Sequence, residues 1–188
     1  MQHIIPFNIM AKHFKTILFL LFTFTATIEA QTKMIVGEKH TLSVDVPKNW
    51  VLGIDNKVPF FIKPDMVGGN DLNYMYVYGI DYEDNPNMDQ WIDGNNDYMK
   101  ESFPGIKIDT LKLSFPNIKK DDYATGRYNV VTYLYPDGKK EALLVIECTH
   151  TIATVVMSSA NASEFEKYLP SFKEIGSSVK ILGTSLKE

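Results

Sequence analysis

The stretch YATGRYNVVTYLYPDGKKEALLVIECTHTIATVVMS, residues 123–158, decides the fold. Apolar and β-branched residues dominate Tyr123–Tyr135 and Glu141–Cys148, and Pro136-Asp137-Gly138 stands between them. Proline presets the φ of a turn, aspartate bonds its own backbone, and glycine takes a positive φ. The segment therefore reads as a β-hairpin. Ile152–Ser158 is a further strand after a tight turn near Thr149–Thr151, since one strand from Ala142 to Ser158 would far exceed the usual length of about five or six residues. Consecutive strands joined by tight turns run antiparallel.

Upstream of this meander, His40–Val46 alternates Leu42, Val44 and Val46 with polar neighbours, the pattern of a half-buried strand. Pro47 stops it, and Trp50 brings a large ring back toward the core. Val58–Ile62 is a short apolar run, and Val67-Gly68-Gly69-Asn70-Asp71 is a turn by composition. Leu72–Tyr82 follows as a long strand. Leu72, Tyr74, Tyr76, Tyr78, Ile80 and Tyr82 lie on one face and Met75, Val77 and Gly79 on the other, so the strand is expected to be covered on both sides.

Asn85-Pro86 has the form of a helix start, and Met88, Trp91, Ile92, Asn95, Met99 and Phe103 recur at helical spacing up to Pro104-Gly105. Ile106–Phe115 alternates again, with a slip near Asp109, and predicts a bulged strand. Ser163-Glu164-Phe165-Glu166 spells a capping box for a last helix with the stripe Phe165, Leu169, Phe172 and Ile175. Pro170 falls in that stripe and predicts a kink or a new helix, and Gly176 fits the helix end. Strands, a helix, more strands and a helix make an α+β domain, one antiparallel sheet with helices packed on it.

The strand running into Val46-Pro47-Lys48-Asn49-Trp50, the mid-chain helix, the meander, and a terminal helix ending Glu174-Ile175-Gly176-Ser177-Ser178-Val179 together resemble the PsbP-like fold. That fold is shared by an extrinsic photosystem subunit, a nuclear Ran-binding protein and many small secreted bacterial proteins. The resemblance spans residues 40–182 and implies an α/β/α sandwich around an antiparallel sheet. It also implies an assembly, binding or accessory role more than catalysis, although fold alone does not assign function. No family functional residue carries over to a position of this sequence.

The start of the chain speaks of location. Lys12 and Lys15 precede an apolar-rich run, Ile17–Ile28, which ends at Ala30-Gln31. A basic flank, a short apolar core and a small residue at the cut make a secretory signal, and the run is too short for a bilayer-spanning helix of about 20 apolar residues. The organisation expected is a signal peptide over 1–30, a lead-in over 31–39, a domain over 40–182 and a tail over 183–188. Met10 is an alternative start, and an uncleaved anchor or a buried helix is the alternative reading of the run. The expected site of action is extracytoplasmic, periplasmic or secreted, with no transmembrane span in the mature form.

The 188 residues carry a formal net charge of −4. An acidic chain gains nothing from counterion release at a phosphate backbone, which argues against nucleic acid as a partner and leaves a protein or an envelope component. Cys148 is the single cysteine, so no intramolecular disulfide and no cysteine-rich zinc site can form. No residue pattern asks for a cofactor.

Three clusters merit weighing. Glu147, Cys148 and His150 bring nucleophile and base types together and would serve a hydrolase or transferase, but side chains two apart on a strand sit about 7 Å apart. Asp81, Glu83, Asp84 and Asp89 supply the hard oxygens calcium prefers, yet lack the glycine and closing glutamate of an EF-hand loop. Tyr74, Tyr76 and Tyr78 would make a binding platform for a sugar or peptide, against the plainer role of a core face under a helix. The sequence favours a non-catalytic binding module. Asn161-Ala162-Ser163 fits both a glycosylation sequon and a helix cap.

Overall fold

The computed structural model describes residues 31–65 and 72–183. The leader, the turn at 67–71 and residues 184–188 lie outside the described residues. The predicted meander is its centre: β7 (Ala124–Leu134), β8 (Lys140–Cys148) and β9 (Thr151–Ser159) pair antiparallel in succession. At the Pro136 turn, Gly138 has φ 90°, the Lys139 N–H donates to Asp137 Oδ1 at 3.0 Å, and the Gly138 N–H donates to the Tyr135 carbonyl at 3.0 Å. Thr149 and His150 alone separate β8 from β9.

β9 pairs along its other edge with β5 (Tyr74–Asp81). With β3 (Trp50–Leu52), β4 (Phe60–Pro64) and β6 (Lys107–Thr110) the seven-stranded order is β3-β4-β5-β9-β8-β7-β6. Every residue of β9 is buried, as a central strand covered on both faces must be. One face packs against α1 (Met88–Ser102), which sets Met88, Ile92 and Met99 on Val131, Tyr133, Leu143, Val145, Ile152 and Val156. The other face carries α2 (Ala162–Ser178) and a three-stranded sheet, β1-β2-β10, built from Thr32–Val36, His40–Asp45 and Lys180–Gly183. Leu42, Ile62, Met75, Leu144, Met157, Phe165, Phe172 and Ile175 are fully buried there.

Several local expectations shift. The small sheet was not foreseen: the supposed lead-in holds β1, and β10 follows the last helix. Both strands are short and half exposed, so neither shows an apolar alternation. Helix α1 starts later than Asn85-Pro86, because Asn87 Oδ1 takes the Gln90 N–H at 3.0 Å and is the cap. The strand expected over Ile106–Phe115 keeps its ladder only to Thr110.

Asn161, not Ser163, caps α2: its Oδ1 accepts the Glu164 N–H at 3.0 Å. Pro170 sits inside one uninterrupted helix. A helix-interior proline costs roughly 3 kcal/mol. Phe165, Phe172 and Ile175, each worth about 1.5–3 kcal/mol when fully buried, outweigh it. Gly176 lies before the helix end, where an added Cβ would stand 2.4 Å from Phe115 Cε1. Close packing, not a left-handed cap, requires glycine there.

Candidate functional site

Strand alternation on β5 sends Met75 and Val77 into the core beneath α2 and sets Tyr74, Tyr76 and Tyr78 on the α1 face. Because α1 stands over β7 and β8, the tyrosines remain half-buried. The rings of Tyr74 and Tyr76 lie 6.2 Å apart at 27°, and those of Tyr76 and Tyr78 5.8 Å apart at 21°. Phe61, opposite Tyr76 on β4, extends the row, with its ring 5.4 Å from that of Tyr74. Burial drives the hydroxyls of Tyr76 and Tyr78 above the usual tyrosine range, so both are protonated donors at neutral pH.

The row runs into a groove of about 450 Å³. Tyr76, Tyr78 and Gly79 form its floor, and Lys57, Val58 and Pro59 form one wall. The opposite wall comes from the small sheet and ends at His40. His40 is 4 % exposed and its Nδ1 lies 2.7 Å from Asp81 Oδ1. Thr151 Oγ1 donates to the same oxygen at 2.6 Å, and the Lys39 N–H donates to Asp81 Oδ2 at 3.0 Å. Burial by itself would raise the Asp81 carboxyl, but the bonds from Thr151, His40 and Lys39 prevail and hold it below the ordinary value. The imidazole fits between two glycines: a Cβ on Gly37 would stand 2.1 Å from its Cε1, and one on Gly79 2.5 Å from its Nε2.

This pairing was invisible in the sequence. His40 reads there as one polar residue of an alternating strand, and Asp81 lies 41 positions away. Only the crossing of β2 over the end of β5 brings them together.

The weaker candidates are dispersed. Cys148 ends β8 with its side chain in the core, and burial pushes its thiol up to about 12. His150 is exposed in the following turn. Glu147 points to the opposite face, where Oε2 accepts the Met88 N–H at 2.9 Å and Arg127 Nη1 at 2.8 Å. Glu147 and Cys148 thus face opposite ways, as adjacent strand residues do, and His150 lies beyond the strand in the turn.

The carboxylates weighed as calcium ligands go to different partners. Asp81 is committed to His40, Asp89 pairs with Arg127 Nη2 at 2.5 Å, and Glu83 and Asp84 line a different groove beside Trp91. Among the described residues no three His, Cys, Asp or Glu side chains gather as metal ligands, and no helix is long and apolar enough to cross a membrane.

No protein-family model matches this sequence. No curated protein matches it either. Similarity appears in three dimensions. The solution structure of cyanobacterial PsbP (CyanoP) from Synechocystis sp. PCC 6803 matches with a TM-score of 0.52 at 11 % identity, covering 84 % of this chain and 96 % of that one. The chain has a PsbP-like α+β fold. At that identity the likeness concerns architecture alone.

Proposed function

We propose that this PsbP-like domain is an extracytoplasmic, non-catalytic binding module that holds a partner protein in the groove between His40 and the tyrosine row. The observation that carries the reading is a half-buried aromatic row opening into a groove of about 450 Å³, with buried polar anchoring at its end. Aromatic side chains offer large contact area at low entropic cost, with a hydroxyl to fix orientation. The only thiol is buried in the core. The His40 and Asp81 pair is satisfied by Thr151 and the Lys39 amide and has no nucleophile assigned to it among the described residues. The basic flank and short apolar run before Ala30 support export, with the mature chain beginning at Gln31.

Capture from the cell envelope tests the reading. Tagged chain expressed in its own cells should retain a defined protein, and Tyr76→Ala with Tyr78→Ala should release it while the melting temperature stays well above the assay temperature. Retention of the same protein by the double variant would place the contact elsewhere. Terminal sequencing of the exported chain should begin at Gln31.

A further inference from the structure

We propose that the groove takes up an extended segment of the partner protein by strand addition to β5, at the notch where β4 leaves it. This rests on reading the groove as a protein-binding surface. β9 accompanies β5 along its whole length, Tyr74 to Asp81, whereas β4 pairs with it only from Met75 to Val77. Backbone polar groups of an antiparallel strand alternate between its two neighbours. The Tyr82 N–H reaches the His150 carbonyl at 2.8 Å on the β9 side. Gly79 and Asp81, out of phase with Tyr82, therefore turn their N–H and C=O toward the vacated side. Among the described residues no main-chain hydrogen bond completes them there.

The sequence keeps the notch open. Continuing the register of Phe60 on Val77 would set Pro59 opposite Tyr78 and Val58 opposite Gly79. In that register Pro59, out of phase with Gly79, would face away from β5, and the bond to Gly79 would fall to the Val58 N–H. Asp55 Oδ1 draws the Lys57 and Val58 amides into its own turn, at 2.7 and 3.3 Å. The chain bends away, and the groove occupies the place of the missing strand. An unpaired strand edge beside pockets for alternate side chains is the recognition surface for an extended polypeptide.

Charge narrows the occupant. Of the acids around the groove, Asp81 is spent on His40, Thr151 and the Lys39 amide, and Asp55 on two amides, while Glu38 has contacts of its own. The Lys39 ammonium bonds the Tyr82 carbonyl at 2.9 Å. Lys57 is exposed, lines the groove and makes no ion pair among the described residues. The segment accordingly carries a carboxylate facing Lys57 and apolar side chains toward Tyr76, Tyr78 and Val58.

The test uses two blocked pentapeptides, TVEVT and its charge-reversed form TVKVT, titrated into the isotopically labelled protein. With TVEVT the amide signals of Gly79 and Asp81 should shift and exchange with solvent at least about tenfold more slowly. TVKVT should bind several-fold more weakly, and Lys57→Glu should reverse the preference. Shifts confined to the outer edges β1 or β6, equal binding of both peptides, or no shift at millimolar peptide would overturn the proposal. Release of the captured partner by the Tyr76 and Tyr78 substitutions, with the Gly79 amide still unprotected in the complex, would overturn strand addition alone and leave the binding function standing.

Discussion

His40 Nδ1 and Asp81 Oδ1 meet at 2.7 Å, and this contact ties the three-stranded sheet to the end of the strand that carries the tyrosine row. Asp81 is held below its ordinary value against the opposing effect of burial, through bonds from Thr151, His40 and the Lys39 amide. A carboxyl with a depressed folded value contributes stability above its unfolded value, near 3.9, and loses it as pH falls through the folded one. Asp81→Asn should thus cost on the order of 1–3 kcal/mol at neutral pH, with the difference shrinking below about pH 4. Urea melts of both proteins from neutral pH down to pH 3 would measure this, and a difference independent of pH would show that Asp81 acts through packing only.

The glycines beside that imidazole give a second expectation. A Cβ at Gly37 would stand 2.1 Å from His40 Cε1, so the ring must move or the strands must part. Gly37→Ala should destabilise by about 1–3 kcal/mol, the usual cost of forcing extra volume into a packed site. In a His40→Ala background the same change should cost far less, since the slot is then empty. Additive costs in the double-mutant cycle would contradict the placement of the ring.

Glu147 anchors the start of α1 from a buried position, with Met88 N–H at 2.9 Å and Arg127 at 2.8 Å. Glu147→Ala leaves that amide and one guanidinium nitrogen without their acceptor. A loss of about 1–3 kcal/mol follows, and amides at the first turn of α1 should exchange faster than those at its end. Uniform exchange along α1 in the variant would assign the anchoring to other contacts.

The hairpins were legible because their signals are local. Pro136-Asp137-Gly138 carries its own turn chemistry, and β8 and β9 display the near-continuous apolar run that burial on both faces demands. The tyrosine row was legible for the same reason, as a period of two on a single strand. β1 and β10 were not, since each is stabilised by β2 and not by any pattern of its own. The cap of α2 moved from Ser163 to Asn161 because both residues suit the position and only the geometry of the incoming chain selects one. The groove and its histidine were illegible for the deepest reason: they depend on where one strand stops short of another, which is a property of the sheet.

Cys148 supplies the last prediction. Its side chain is 3 % exposed residue-wide, packed among apolar neighbours, and burial with the carboxylates of Asp121, Glu147 and Asp81 nearby pushes the thiol up to about 12. A free cysteine near 8.5 is a few per cent thiolate at neutral pH. A thiol near 12 has on the order of a thousandfold less of the reactive form, before access is considered. A disulfide reagent at pH 7 should therefore label the folded protein far more slowly than a model thiol, and rapidly once urea unfolds it. Labelling at the model rate in the native state would mean that the end of β8 is open to solvent and that Cys148 can act as a nucleophile.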